Sequence, residues 1–392
     1  MKKCIVLLFA VCLYCFGAIA QPYHVGHRTI NFTDTNRSRA IQTEVYYPAD
    51  TDGDNVTITQ LNTDKFPLVI FGHGFVMTWD AYTTLWNALV AEGFIVAFPI
   101  TETGFSPQHA ELGKDLAFLV DALQGEGQNS GSAFFNRVDS TSCVMGHSMG
   151  GGASFLAVQY NTHITALANL AAAETNPSAI QAASGITLPA LMFAGENDCV
   201  TPIAGNQLPM YDSLHSTCKS LITIHGGSHC QMADANVLCS IGESSCTPAP
   251  AISRATQQAT INRLLIPWLN FQLKGNCPEG LRFDSLVTND TAVSVFRNCQ
   301  LCTSSYVNEP ETEFVLSYSP NPFTEDLQVN FGKMDFSELK WSVSDVLGKK
   351  INFDAQRNAN GYRLRFPSLQ SGIYLVKMQS KFHQSVFKIF RK

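Results

Sequence analysis

The sequence predicts an α/β fold, a mainly parallel sheet flanked by helices, followed by a small C-terminal β-sandwich. Three observations carry this. Between Gln21 and about Cys302, short apolar runs alternate with segments of helical period. After about Phe314 the apolar period drops to two. Charge divides at the same place: from Phe314 onward 12 Lys and Arg stand against 6 Asp and Glu, whereas the residues before it carry 14 against 26. A split of that kind marks two separate domains. With 45% hydrophobic and 15% charged residues, the chain of 392 can bury a sizeable core and is not disordered in composition. The basic part holds no concentrated Lys/Arg run and no nucleic-acid signature, so no nucleic-acid partner is expected.

Lys2 and Lys3 precede an apolar run from Cys4 to Ile19, and Ala18-Ile19-Ala20 supplies the small residues that a signal peptidase requires. Residues 1–20 therefore read as a signal peptide, with Gln21 as the mature start. The run is shorter than the ~20 residues a spanning helix needs, and no later stretch is long and apolar enough.

The expected strands of the first domain are Leu68 to Phe71, Phe94 to Pro99, Ser142 to Met145, Ala166 to Leu170, Ala190 to Ala194 and Leu221 to His225. Tyr82, Leu85, Trp86, Leu89 and Val90 share one helical face before Gly93 stops it, and Leu112, Leu116, Leu119, Val120 and Leu123 repeat that spacing. A last helix runs from about Ser253 to Leu273, bent or interrupted at Pro267. Residues 303–313 are polar and form a linker. Beyond it, Leu327, Val329 and Phe331, then Trp341 and Val343, Tyr362, Leu364 and Phe366, Ile373 and Leu375, and Phe387 and Ile389 alternate as strands of a β-sandwich over 314–392.

Gly146-His147-Ser148-Met149-Gly150 fits G-x-S-x-G. An apolar strand enters it and the small residues Gly151, Gly152 and Ala153 leave it, as a strained strand-to-helix nucleophile elbow of the α/β-hydrolase fold requires. A serine hydroxyl is a poor nucleophile at its free pKa and needs a base to take its proton. His229 is preferred over His225, because Gly226-Gly227-Ser228 places it on a loop beyond the last strand, whereas His225 reads as strand packing. For the acid that orients the imidazole, Asp198 follows its strand through Gly195-Glu196-Asn197 and is preferred over Glu196 and Glu174. The oxyanion hole should take the backbone N–H of Met149 and that of Phe75, which lies in the turn Gly72-His73-Gly74-Phe75. His73 reads as a structural turn residue. Asp50-Thr51-Asp52-Gly53-Asp54-Asn55 departs from the spacing of a calcium loop and reads as an exposed acidic turn. This chemistry requires no cofactor and no metal.

Twelve cysteines are present, of which Cys4, Cys12 and Cys15 leave with the signal. The remaining nine are an odd number, and Cys143, in an apolar strand, is the expected buried free thiol. Export makes disulfides plausible. Cys199 follows the proposed acid and Cys218 precedes the strand leading to His229, so adjacent strands are expected to bring these two into a bond.

The run Val144 to Gly152 resembles the bacterial cutinases and related polyester hydrolases, near the dienelactone hydrolases, and the similarity extends through Phe66 to Phe75, Gly93 to Pro99, Pro189 to Asp198 and Gly226 to His229. The resemblance implies a lidless serine esterase with an open groove and no cap domain, an aromatic residue at Phe75 beside the acyl group, and a C-terminal disulfide between Cys277 and Cys299. Ala173 stands where these enzymes usually carry a Trp, which removes half of an aromatic clamp. The stretch from Phe314 to Lys392 is similar to the type A C-terminal sorting domain of the type IX secretion system, through Tyr318-Ser319-Pro320-Asn321-Pro322-Phe323, Val346-Leu347-Gly348-Lys349, Ser371-Gly372-Ile373-Tyr374 and the basic end Lys388 to Lys392. The expected activity is hydrolysis of carboxylic esters through an acyl-enzyme, by a catalytic domain over 21–302. A peptidase or thioesterase on the same triad and a catalytically silent surface-binding protein are the alternatives. The partners expected are an ester substrate, with polymeric and lipid-like esters both open, and the secretion machinery. The location expected is extracellular or cell-surface, reached across the periplasm.

Overall fold

A computed structural model describes residues 23–61, 64–299, 302, 316–331, 339–345, 348–358, 361–379 and 384–392. The expected signal peptide and linker lie outside these residues. The chain divides into two compact units at Cys302.

The first unit opens with an antiparallel hairpin, β1 (His24–Asp34) and β2 (Arg39–Ala49), and a short β3 (Gly53–Asp54). Then follow β4 (Phe66–Gly72), α1 (Thr83–Ala91), β5 (Ile95–Pro99), α2 (His109–Gln128), β6 (Val138–His147), α3 (Met149–Tyr160), β7 (Ala166–Leu170), α4 (Ala179–Ala183), β8 (Ala190–Gly195), α5 (Gln207–Ser213), β9 (Lys219–Ile224), α6 (Val237–Glu243), α7 (Arg254–Lys274), α8 (Cys277–Asn289) and β10 (Val293–Asn298). The ten strands form one sheet in the order β10-β9-β8-β7-β6-β4-β5-β2-β1-β3. From β5 to β9 the neighbours run parallel. Each of the six strands expected from sequence is present.

Period-two alternation sorts the central strands onto two cores. In β4, Leu68 and Ile70 face the layer of α2 and α3, with Leu112, Leu116, Leu119, Phe155 and Leu156. Val69 and Phe71 face the layer of α1, α7 and α8, with Leu85, Leu264, Trp268 and Phe283. Because β4 is buried on both faces, it reads as an unbroken apolar run. The hairpin β1/β2 and the edge strand β10 were not expected from sequence. β1 and β10 alternate buried and exposed positions with charged and polar residues, which gives no continuous run.

α7 continues through Pro267 without the interruption that the sequence suggested. A proline in a helix interior costs about 3 kcal/mol. Leu264, Leu265, Trp268 and Leu269 around it are fully buried, and each contributes about 1.5–3 kcal/mol, which outweighs that cost.

The disulfides differ from both expected pairings. The bonds are Cys199–Cys246, Cys218–Cys299, Cys230–Cys239 and Cys277–Cys302. The expectation that adjacent strands bring Cys199 and Cys218 together fails on direction. β8 and β9 are neighbours but parallel, with Ala190 opposite Lys219. Cys218 thus enters β9 while Cys199 follows the far end of β8, and the six residues of β9 separate the two ends by about 20 Å. A disulfide bridges Cα atoms less than about 7 Å apart. β10 runs antiparallel to β9 and pairs Asn298 with Lys219, which sets Cys299 against Cys218. The Cys277–Cys299 pairing implied by the resemblance is excluded in turn, and Cys277 takes Cys302. Cys143 is free and buried in β6, as expected.

In the second unit, β11 (Leu316–Ser319), β12 (Asp326–Phe331), β16 (Gly361–Arg365) and β15 (Asp354–Asn358) form one antiparallel sheet, in that order. A second is built from β14 (Lys350–Ile351), β13 (Lys340–Asp345), β17 (Gly372–Gln379) and β18 (Gln384–Arg391). Phe323, Leu327, Val329 and Leu364 meet Val343, Val376, Met378 and Ile389 in its own core. It is a sandwich of two sheets with inward alternate positions.

Burial raises the Cys143 thiol far above its ordinary value and keeps the reactive thiolate from forming. A thiol reagent applied to the folded chain beginning at Gln21 is expected to find no reactive cysteine, and one per chain in denaturant. A native reading of one or more per chain would show β6 to be open.

Candidate active site

All the parallel strands end at the same edge of the sheet, and the loops leaving that edge carry the candidate residues. Ser148 follows β6 directly and has φ 55°, ψ −121°, a conformation that non-glycine residues rarely adopt. Such a residue costs on the order of 1–3 kcal/mol and persists only where its surroundings fix it. Here they do. The Ser148 N–H donates to the Leu170 carbonyl at 3.0 Å, and its own carbonyl accepts from Gly152 at 3.0 Å and Ala173 at 2.9 Å. A Cβ at Gly146 would lie 2.3 Å from the Gly150 carbonyl oxygen, and one at Gly150 would lie 2.1 Å from that of Gly72. The two glycines of G-x-S-x-G thus let α3 start against the ends of β4 and β6.

His229 Nε2 lies 2.9 Å from Ser148 Oγ, and His229 Nδ1 lies 2.8 Å from Asp198 Oδ2. The rivals are used elsewhere. Glu196 accepts from the Gly226 N–H at 2.8 Å, and Glu174 from the Ile180 N–H at 3.0 Å. His225 is exposed just beyond β9 and hydrogen-bonds the Thr291 carbonyl, so the expectation that it packs inside does not hold. His73 is buried in its turn, with ring nitrogens against the carbonyls of Gly74 and Thr101.

Sequence reasoning missed the groups that fix the acid and the base. Asp198 Oδ1 accepts the N–H groups of Val200 and Thr201 at 2.9 and 2.8 Å, while the Thr201 hydroxyl lies 2.8 Å from Oδ2 and 3.0 Å from His229 Nδ1. Thr201 was visible only as a residue that Asp198 would cap. On the base side, the buried Gln257 of α7 holds Ser228 at both backbone groups: Oε1 accepts from its N–H at 2.9 Å and Nε2 donates to its carbonyl at 2.8 Å. Nothing in a helical pattern marks a glutamine for that task. Across the nucleophile, Tyr82 hydrogen-bonds His147 Nδ1 at 3.1 Å and accepts from the Gly74 N–H at 2.8 Å, which joins the Gly74-Phe75 turn to the elbow. Burial, with His229 beside it, holds His147 well below the ordinary histidine range, so its ring is neutral.

Neither the Phe75 N–H nor the Met149 N–H donates to a protein acceptor among the described residues. Met149 is the first residue of α3, where the helix dipole favours negative charge. The Phe75 ring is half-exposed and meets the exposed ring of Phe105, from the loop after β5, edge-on at 6.3 Å. Phe105 was also missed, since an isolated aromatic in a loop carries no period. Ala173 leaves the other side without a ring.

No group of three or more His, Cys, Asp or Glu is placed to hold a metal among the described residues. In the acidic turn, Asp50 bonds Thr59, Asp52 accepts from the Val25 N–H, and Asp54 pairs with His27.

Residues 18–246 match the model of the PET hydrolase-like family, and that stretch is more than half of the chain. The chain belongs to this family. Its similar relatives include a bis(hydroxyethyl) terephthalate hydrolase of Streptomyces coelicolor, 26% identical over 187 residues, which are 47% of this chain and 54% of that protein. Cutinase est2 of Thermobifida alba is 25% identical over 187 residues, covering 47% of this chain and 56% of the relative, and a cutinase of Thermobifida fusca is 26% identical over the same shares. The chain thus spans about half the length of the curated relatives it matches. Residues 318–392 match the secretion system C-terminal sorting domain. Among PET hydrolase-like proteins this is therefore one addressed to the type IX pathway and the cell exterior. No helix among the described residues is long and apolar enough to cross a membrane.

Two predictions follow from the fixed loops. Gln257→Leu leaves the buried N–H and carbonyl of Ser228 without partners, and each such group costs about 1–3 kcal/mol, so unfolding in denaturant should show a loss of roughly 2–5 kcal/mol. An unchanged midpoint would mean that the His229 loop is held without Gln257. Burial alone would raise the Asp198 carboxyl, but its hydrogen bonds from His229 and Thr201 together hold it below the ordinary value. A carboxyl depressed on folding adds stability above its unfolded pKa and loses it as pH falls through the folded one. Below about pH 5 the parent should therefore lose unfolding free energy more steeply than Asp198→Asn. Equal slopes would show that Asp198 is not depressed.

Proposed function

We propose that this protein hydrolyses carboxylic esters through an acyl-enzyme, with Ser148 as nucleophile, His229 as base and Asp198 as orienting acid. The observation that carries the reading is the unbroken hydrogen-bonded line from Ser148 Oγ through both ring nitrogens of His229 to Asp198 Oδ2. In the first step Ser148 Oγ attacks the ester carbonyl while its proton passes to His229 Nε2. The imidazolium that forms is stabilised by Asp198 through Nδ1–H. The carbonyl oxygen becomes an oxyanion, which the unspent N–H groups of Phe75 and Met149 are suited to receive. Collapse of this intermediate breaks the bond to the alcohol, and His229 returns the proton to the leaving oxygen. Water then attacks the acyl-Ser148 by the same route, giving its proton to His229, and the acid leaves with Ser148 restored.

Ester rather than peptide cleavage is favoured by the family, whose relatives carry the names of cutinases and of a bis(hydroxyethyl) terephthalate hydrolase. We assign the half-exposed ring of Phe75 to the side of the acyl group. The second unit, with its own core and its match to a sorting domain, serves export in this reading, through the secretion machinery as partner.

Ser148→Ala should keep the melting temperature within a few degrees and lower turnover of p-nitrophenyl esters by several orders of magnitude, since removal of a triad member typically costs that much. Fluorophosphonate labelling should disappear with it. Residual turnover above about a tenth of the parent would reject Ser148 as nucleophile. Faster cleavage of a p-nitroanilide than of the matching ester would instead favour the peptidase.

A further inference from the structure

α6 is a seven-residue helix that shows water three large apolar side chains: Val237, Leu238 and Ile241 are 76%, 47% and 64% exposed. A helix this short is marginal by itself, yet it is fastened at both ends. Cys239 is bonded to Cys230, the residue after His229, and Cys246, just past the helix, is bonded to Cys199, the residue after Asp198. The helix also turns its polar groups inward. Asn236 caps the Cys239 N–H, Glu243 accepts from the Cys230 N–H, and the hydroxyls of Ser240 and Ser244 donate to the carbonyls of Asn236 and Ile241. Glu243 is the one charged residue between positions 235 and 253. What remains outward is a fixed, uncharged, apolar ridge. The half-exposed Val200 continues it, since it follows the cysteine that α6 is tied to.

The ridge lies at the edge of the sheet from which Ser148 emerges, because β6, β8 and β9 are parallel and all three loops leave from their C-terminal ends. Exposed apolar patches of this kind on soluble proteins mark contact surfaces. Three or four side chains fall well short of the ~800 Å² per partner that a stable protein–protein contact buries, which counts against a second copy. Without a Lys or Arg from 235 to 253, the segment offers nothing to the phosphates of a lipid bilayer. A flat, uncharged solid makes neither demand.

We propose that the apolar face of α6, continued by Val200, is an adsorption surface that holds the protein on a water-insoluble, uncharged polyester with Ser148 at the interface. The inference rests on the ester reading for the identity of the solid, but adsorption itself requires no turnover. The test therefore uses the full chain from Gln21 carrying Ser148→Ala, equilibrated with a suspension of poly(ethylene terephthalate) particles. Adding Val237→Ser, Leu238→Ser and Ile241→Ser together should lower the partition onto the particles by at least about tenfold, and Val237→Ser alone by about threefold. Leu281→Ser, an exposed apolar residue on α8, should change it by less than about twofold. Undiminished adsorption of the triple variant, or an equal loss in Leu281→Ser, would overturn the assignment. So would a dimer of the Ser148→Ala chain that the triple variant dissociates, or binding to phosphatidylcholine vesicles that is lost while particle binding stays. A failure of the ester reading shows separately, as absent hydrolysis by the chain with Ser148 intact.

Discussion

The site depends on one close approach of backbone to backbone, where the first turn of α3 lies against the ends of β4 and β6. Gly72, Gly146 and Gly150 have no side chains, and the space a Cβ would need at Gly146 or Gly150 is already filled by carbonyl groups. That contact presses the chain into the sharp turn at Ser148 and holds it in the left-handed region. The consequences spread outward. The hydroxyl is lifted clear of the sheet, the Met149 N–H is left at a helix start with no acceptor, and the turn after β4 is brought beside it. Strain at one residue is set against the packing of three secondary-structure elements, so it is kept rather than relaxed.

The acid and the base are secured differently. Asp198 is held locally, by the N–H groups and hydroxyl of the turn that follows it. His229 is held from a distance, by a side chain of α7 that grips the residue before it and by a disulfide at the residue after it. Two disulfides therefore lie next to triad positions, and each belongs to a different arm. They meet in the segment around α6, which borders both arms without being part of either.

Much of this was legible in the sequence, and the boundary is physical. The parallel core strands are buried on both faces and read as apolar runs, so all six were expected. G-x-S-x-G states a steric requirement in residue types. The order of nucleophile, acid and base along the chain follows from the fold and led to Asp198 and His229 over Glu196, Glu174 and His225. Partners in three dimensions were not legible. Gln257, Thr201 and Tyr82 are ordinary in their local patterns and acquire meaning only from what lies opposite. The disulfides show this most sharply: the adjacency of β8 and β9 was foreseen correctly, but their parallel direction puts Cys199 and Cys218 at opposite edges of the sheet. Pro267 misled in the other direction, because a local cost was outweighed by the burial of its neighbours.

The odd cysteine has a consequence for the order in which the molecule is made. Cys143 lies in β6 with β4 on one side and β7 on the other, near the middle of the sheet. Eight other cysteines of the same unit must find their partners, and any of them could be captured by a ninth thiol through exchange. Only a closed sheet withholds it, by taking it from solvent and keeping it protonated. Correct oxidation is thus downstream of sheet formation. The loops at the rim are stitched after the centre has set, and a chain oxidised in the reverse order would draw from nine thiols instead of eight.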